Sequence, residues 1–296
     1  QFFRGCRSML LAIAWTPSLV APPHQLSRAS LLRTAASAAL TLPLGAKAVA
    51  APPPFELGTR DAFAAFAAGD YTRAEQLWSR ATEAYPDSAL AYANLATLLI
   101  INASDKMTLG ELPTGDALQR LEQALVAIDR AEALGASTPR ADQPVGRGAD
   151  AVLLNSRGNA LGLLQRWSEA QAAYTLAADS AAKTFASIPR SNAALVAFEL
   201  GQTEQAERQV RTLLRRDPNF VDGTALLATL RWSQGDIGGA TTAYASLCDT
   251  PIWCEAYASD AAVLGRWTPR ATAAFRELLK EPAVQRERRN AAALAR

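Results

Sequence analysis

The sequence predicts an all-α protein, a right-handed α-solenoid of about five helix pairs with a C-terminal capping helix. Three observations carry this. A short motif recurs five times: a small residue, a bulky one four positions on, and a small or aliphatic one three beyond that. It reads Ala74/Trp78/Ala81, Ala124/Ile128/Ala131, Ala170/Tyr174/Ala177, Ala206/Val210/Leu213 and Ala240/Tyr244/Leu247. Spacings of four and three put each trio on one helical stripe. The leading alanines lie 50, 46, 36 and 34 residues apart, so a period of about 34 is lengthened twice by insertions, and such a period marks stacked helix pairs. Glycines and prolines fall between the stripes, where turns and helix stops are needed. A stack of this kind presents a concave face instead of a single pocket.

The repeats are read over 51–254, in units near 55–88, 89–137, 151–184, 187–220 and 221–254. In the first, Gly69-Asp70 turns the chain between two helices and Pro86-Asp87-Ser88 closes the second. The second opens at Ala91-Tyr92-Ala93-Asn94. Its partner helix arrives late, because 102–114, with Gly110 and Pro113, reads as an inserted loop. A second irregular stretch, 135–148, precedes unit three. There Asn155-Ser156-Arg157-Gly158-Asn159 is followed by Arg166-Trp167-Ser168-Glu169-Ala170, and Gly158 is expected where the paired helices approach closely. Units four and five hold Gly201 and Gly235 at equivalent turns. The remainder, 255–296, is read as a capping helix and tail; Thr268-Pro269 is a helix start, with a hydroxyl cap and a first-turn proline.

Residues 1–50 read as a targeting leader. They carry Arg4, Arg7, Arg28, Arg33 and Lys47 and no acid, the first acidic residue being Glu56. An arginine- and serine-containing stretch without acids has the composition of a transit peptide. A small-residue apolar run follows from Ala35 and ends in Ala48-Val49-Ala50, an A-x-A cleavage signal. Together they form the two-stage address of a chloroplast thylakoid-lumen protein; the alternative is a single secretory signal and a secreted or periplasmic protein. Neither this run nor the earlier apolar run Leu10–Trp15 reaches the roughly 20 residues that span a bilayer, so no stable membrane insertion of the mature chain is expected.

Charge and histidine narrow the function. The whole chain is formally +2, and the leader accounts for +5, leaving 51–296 at −3, so no nucleic-acid footprint is present. The one histidine, His24, lies in the leader. Nucleophile systems and metal sites built on histidine are thereby excluded from the body; no metal, cofactor or catalytic residue is expected, and the chain is read as not an enzyme. Cys248 and Cys254 are close enough across Pro251 for a disulfide in an oxidising compartment, or are two small buried groups. Arg211, Arg215 and Arg216 are read as a solvated outer face. Asn102-Ala103-Ser104 matches a glycosylation acceptor.

The stretch from Asn155 to Tyr174, and the tail motif Cys254-x-x-Tyr257 with Gly265-Arg266-Trp267-x-Pro269 and Leu278-Leu279, resemble the tetratricopeptide (TPR) proteins of the chloroplast lumen and their cyanobacterial relatives. The resemblance covers most of 55–282. It implies a TPR-like scaffold that binds proteins in the lumen, with no catalytic residues to carry over. Thr59 and Phe63 stand where clamps for carboxyl-terminal peptides have lysine and asparagine, so that mode is not expected.

In such a stack the first helix of each pair lines the groove. The candidate peptide-binding residues are Asn94, Asn155, Asn159, Ser191, Asn192, Leu195, Thr229 and Trp232. An asparagine amide offers both a donor and an acceptor to an extended backbone, although some of these amides serve neighbouring helices instead. The functional expectation is a non-catalytic scaffold binding protein or peptide partners in its concave groove, in the thylakoid lumen, with assembly or maintenance of photosynthetic complexes as the setting the resemblance implies. The alternative is a self-associating or loop-mediated structural repeat protein of a bacterial periplasm or other secretory compartment.

Overall fold

The computed structural model describes residues 52–136, 150–181 and 185–294. The leader expected over 1–50 and most of the irregular stretch 135–148 lie outside the described residues. Those described form thirteen α-helices and one 3-10 turn, and no strand. No helix among them is long and apolar enough to cross a membrane.

Ten helices make five successive hairpins: α1 (Phe55–Ala67) with α2 (Tyr71–Ala84), α3 (Ala89–Ser104) with α4 (Gly115–Ala136), α5 (Ala151–Leu163) with α6 (Trp167–Ser180), α7 (Ser187–Glu199) with α8 (Thr203–Arg216), and α9 (Val221–Ser233) with α10 (Ile237–Cys248). Each packs on the next, and the first helices also meet across the stack, α3 with α5 and α7 with α9. This is the α-solenoid that the period predicts.

Every residue of the five Ala-bulky-small trios is buried. The core is accordingly a string of clusters, one built on Trp78, the next on Leu121 and Ile128, another on Tyr174, and the largest on Val210, Tyr244 and Phe275. The opposite face of α8 is polar, with Arg211, Arg215 and Arg216 exposed. Three hairpin turns place glycine in the left-handed region, Gly69, Gly201 and Gly235 at φ +75°, +82° and +80°. In unit three Gln165 occupies the equivalent position at φ +56°. Its side chain explains the exception, donating to the Gly110 carbonyl at 3.1 Å and tying this turn to the α3–α4 loop. Gly158 lies against the Tyr174 ring so closely that a Cβ there would sit 2.5 Å from its carbons.

The C-terminal region departs from the expected single cap. α11 (Pro251–Ala256) follows α10 directly, and a disulfide joins Cys248 to Cys254, Cα atoms 4.3 Å apart. After the 3-10 turn Asp260–Ala262 come α12 (Pro269–Leu278) and α13 (Pro282–Leu294). α13 covers the end of the stack, packing on α10 and α11, whereas α12 turns back onto α7 and α9. Its stripe Ala271, Phe275 and Leu278 is fully buried there. Helix α12 starts at Pro269 as expected, but the Thr268 hydroxyl caps nothing; it donates to the Leu195 carbonyl at 3.5 Å. Nor is Asn102 a glycosylation acceptor: it is buried in α3, with Nδ2 donating to the Tyr71 carbonyl and to Glu75 Oε2 at 3.1 and 2.7 Å.

Replacing Gly158 by alanine should push Tyr174 out of place and cost about 1–3 kcal/mol. The same change at Gly238, whose added Cβ meets nothing closer than 4.0 Å, should cost nothing; thermal melts of the two variants check the contrast.

Candidate functional site

The inner face is where the fold leaves room, and its own chain occupies part of it. α12 lies along α7 and α9, held at its start by Arg270, whose backbone N–H donates to Glu199 and whose guanidinium donates to the Phe198 carbonyl, both at 2.9 Å, while stacking 4.5 Å over the Phe198 ring. From the other side the α3–α4 loop reaches across until Gly110 lies so close to Pro269 that a Cβ added there would rest on its ring at 3.6 Å. The open groove expected from the repeat is thus reduced to a chamber of about 570 Å³ between the loop, units three and four, and the C-terminal segment 264–269.

Of the eight candidate groove residues, Asn159, Ser191, Asn192 and Leu195 line this chamber. Asn155 sits behind it, accepting a hydrogen bond from Asn192 Nδ2 at 3.1 Å. The other three do not line the chamber. Asn94 is buried on α3 away from the chamber. Thr229 is fully buried and donates back to the Ala225 carbonyl at 2.9 Å, as a helical threonine does when it has no other acceptor. Trp232 is covered from the C-terminal side, its indole N–H donating to Glu281 Oε1 at 2.7 Å. Of the three, Trp232 is the one held by a segment far away along the chain.

Aromatic residues complete the walls, Tyr174 from the repeat trio among them. Trp167, Tyr174, Phe220, Trp253 and Trp267 bring aromatic surface, and Leu109 and Trp253 are exposed at the rim. The Tyr174 hydroxyl donates to Asn159 Oδ1 at 2.7 Å. That leaves Asn159 Nδ2 and Asn192 Oδ1, a donor and an acceptor, without a partner among the described residues. Asn159 is 7% exposed, and it lines the chamber.

The wall is fastened by one buried ion pair. Arg266, at the head of the segment that crosses the chamber, holds Asp222 of α9 with both terminal nitrogens, at 2.6 and 3.0 Å. The Tyr257 hydroxyl donates to the same carboxylate. Burial opposes the Arg266 charge, but Asp222 more than offsets this and holds its pKa above the ordinary value. Burial, then the neighbouring Asp222 charge, pushes the Tyr257 hydroxyl up; burial alone does so for Tyr174, and Tyr244 is pushed up to about 12. Nothing shifted here titrates near neutrality. The chamber therefore offers fixed amides, aromatic faces and a neutralised ion pair, which suits recognition.

Sequence reasoning placed Tyr174 and Trp167 in unit three but not on a binding wall, and it missed the Asp222–Arg266 pair. Tyr257, Arg266, Trp267 and Pro269 stood in the tail motif, but nothing in their spacing ties them to α7 or α9.

No protein-family model matches the sequence, and neither does any curated protein. Among solved structures the chain is similar to PilF of Pseudomonas aeruginosa, 17% identical with a TM-score of 0.49, covering 80% of this chain and 97% of that one. It is also similar to YrrB, described as a TPR protein with an unusual peptide-binding site (14%, TM-score 0.43, 73% of this chain and 94% of that one). A third is the thermophilic TPR protein TTC0263 of Thermus thermophilus (17%, TM-score 0.44, 81% and 100%). At this level of identity and overlap the site stands on its own geometry.

Removing one partner of a buried pair leaves the other charge stranded, so Asp222→Ala should lower stability by about 3 kcal/mol in a denaturant titration. Neutralising Glu169, whose ion pair with Arg166 is exposed, should have no measurable effect. The raised tyrosine values predict that stability is level up to about pH 9 and falls as pH climbs from about 10 towards 12, because the folded state holds the phenolic protons more tightly. A urea midpoint unchanged through about pH 11 would contradict this.

Proposed function

We propose that this chain is a non-catalytic protein-interaction scaffold that takes a short extended segment of a partner polypeptide into the inner chamber. The observation that carries the reading is the unmatched pair of amide atoms, Asn159 Nδ2 and Asn192 Oδ1, set among aromatic faces. A peptide unit offers one acceptor and one donor, so an extended backbone satisfies both whatever its side chains. A volume of about 570 Å³ falls within the range of small binding sites, about 300–1,000 Å³. Such a site takes a short segment and not a whole helix laid along the groove.

We further propose the thylakoid lumen as its compartment and subunits of photosynthetic complexes as its partners. The acid-free leader with its A-x-A signal supports the address, and the Cys248–Cys254 bridge suits an oxidising compartment. A secreted or periplasmic location shares both features. A second reading, contact through the α3–α4 loop, is favoured by Leu112, which stands 64% exposed there.

A photo-crosslinking amino acid in place of Trp253, at the chamber rim, separates the two readings. The chamber reading expects the crosslinked partner segment to be recovered from position 253, and not from Leu176, an outer position that is somewhat more exposed. Equal recovery from Leu176, or recovery only from Leu112, would overturn it in favour of the outer surface or the loop.

A further inference from the structure

The chamber is electrically lopsided, and the asymmetry specifies what enters it. The ionisable groups among its lining residues are Asp105, Glu111, Asp222 and Arg266, besides the tyrosines. Asp222 and Arg266 neutralise one another. Asp105 and Glu111, both exposed on the α3–α4 loop, have no cation within 4 Å among the described residues. The basic groups nearest them in the chain are already engaged: Lys106 pairs with Asp116, and Arg120 with Asp116 and Glu75. One rim of the chamber therefore carries two uncompensated negative charges. The lining also carries apolar surface, with Trp253 40% exposed on α11, a helix that the Cys248–Cys254 disulfide ties to α10.

Resting on the chamber reading above, we propose that the occupant is a partner segment in which an aromatic or large apolar side chain is flanked by lysine or arginine. The apolar side chain enters among Trp253, Phe220 and Trp167, the backbone meets Asn159 and Asn192, and the cation comes to Asp105 and Glu111. Even exposed carboxylates at a concave rim attract cations more strongly than carboxylates on an open surface, because the low-dielectric wall focuses their field. The same field repels acidic segments, so the charge serves as a filter as well as an attraction. This is the reverse of a clamp for carboxylates, and it follows from a loop inserted into the repeat, not from the repeat itself.

Three fluorescein-labelled peptides test this on the whole protein by fluorescence anisotropy: Gly-Ser-Phe-Lys-Lys-Ser-Gly, the same with Glu-Glu for Lys-Lys, and the same with Ser for Phe. The lysine peptide should bind about fivefold or more tighter than the glutamate one at about 50 mM salt, and the advantage should shrink at about 300 mM. The serine peptide should bind more weakly than its phenylalanine parent. In the Asp105→Asn/Glu111→Gln double variant the lysine advantage should disappear without change in melting temperature, since neither carboxylate holds a partner in the fold. Equal binding of the lysine and glutamate peptides, or a lysine advantage untouched by the double variant, overturns the charge assignment. If none of the peptides binds while crosslinking at 253 still captures a partner segment, the charge assignment falls and the chamber reading stands; if crosslinking fails as well, both fall.

Discussion

The buried contact between Arg266 and Asp222 decides what kind of molecule this is. A repeat stack left to itself ends in an exposed apolar face and keeps its inner curve open. Here the chain passes the end of the stack, turns at the 3-10 segment, and returns across α7 and α9 with Arg266 at its head. The charge that anchors it is desolvated and would be costly alone; two hydrogen bonds to one carboxylate, with the Tyr257 hydroxyl on the same group, make it tolerable. Once that anchor is set, Trp267 and the Ala271–Phe275–Leu278 stripe fall against the inner helices. The C-terminal segment is then part of the core of units four and five. It is a wall, buried too deeply to act as a lid.

The hairpins were legible because their cause is local. An alanine lets two helices approach, a bulky residue four positions on fills the space between them, and a turn glycine supplies a positive φ; all three signals lie within one period. Gly158 is legible for the same reason, its constraint being the Tyr174 ring in the next helix of its own pair. Gln165 shows how the rule bends. It takes the turn-glycine position because its side chain bridges to Gly110, some 55 residues earlier, and that contact lies beyond what a period can show.

The inner face was legible only in part, and the residues divide on physical grounds. Asn155, Asn159 and Asn192 bond within units three and four, the range over which helical register is a guide. Trp232 and Thr268 are placed by partners 49 and 73 residues away. Periodicity says which side of a helix faces inward; it is silent on whether another segment arrives there first. Thr229 illustrates the consequence. Fully buried, its hydroxyl meets neither solvent nor ligand and turns back to the Ala225 carbonyl of its own helix.

Closing the groove changes the chemistry available to it. An open solenoid recognises partners through a long surface, where many weak contacts add up and any one charge is screened by water. A chamber bounded on three sides offers little surface, so selectivity has to come from a few groups at its wall and rim. The fold supplies these from two origins: amides and aromatics from the recurring geometry of helix pairs, and charge from the α3–α4 loop, which the repeat pattern does not require. The insertion that looks like an interruption of the stack is therefore the element best able to distinguish one partner from another, while the returning C-terminal segment limits how much of that partner can enter.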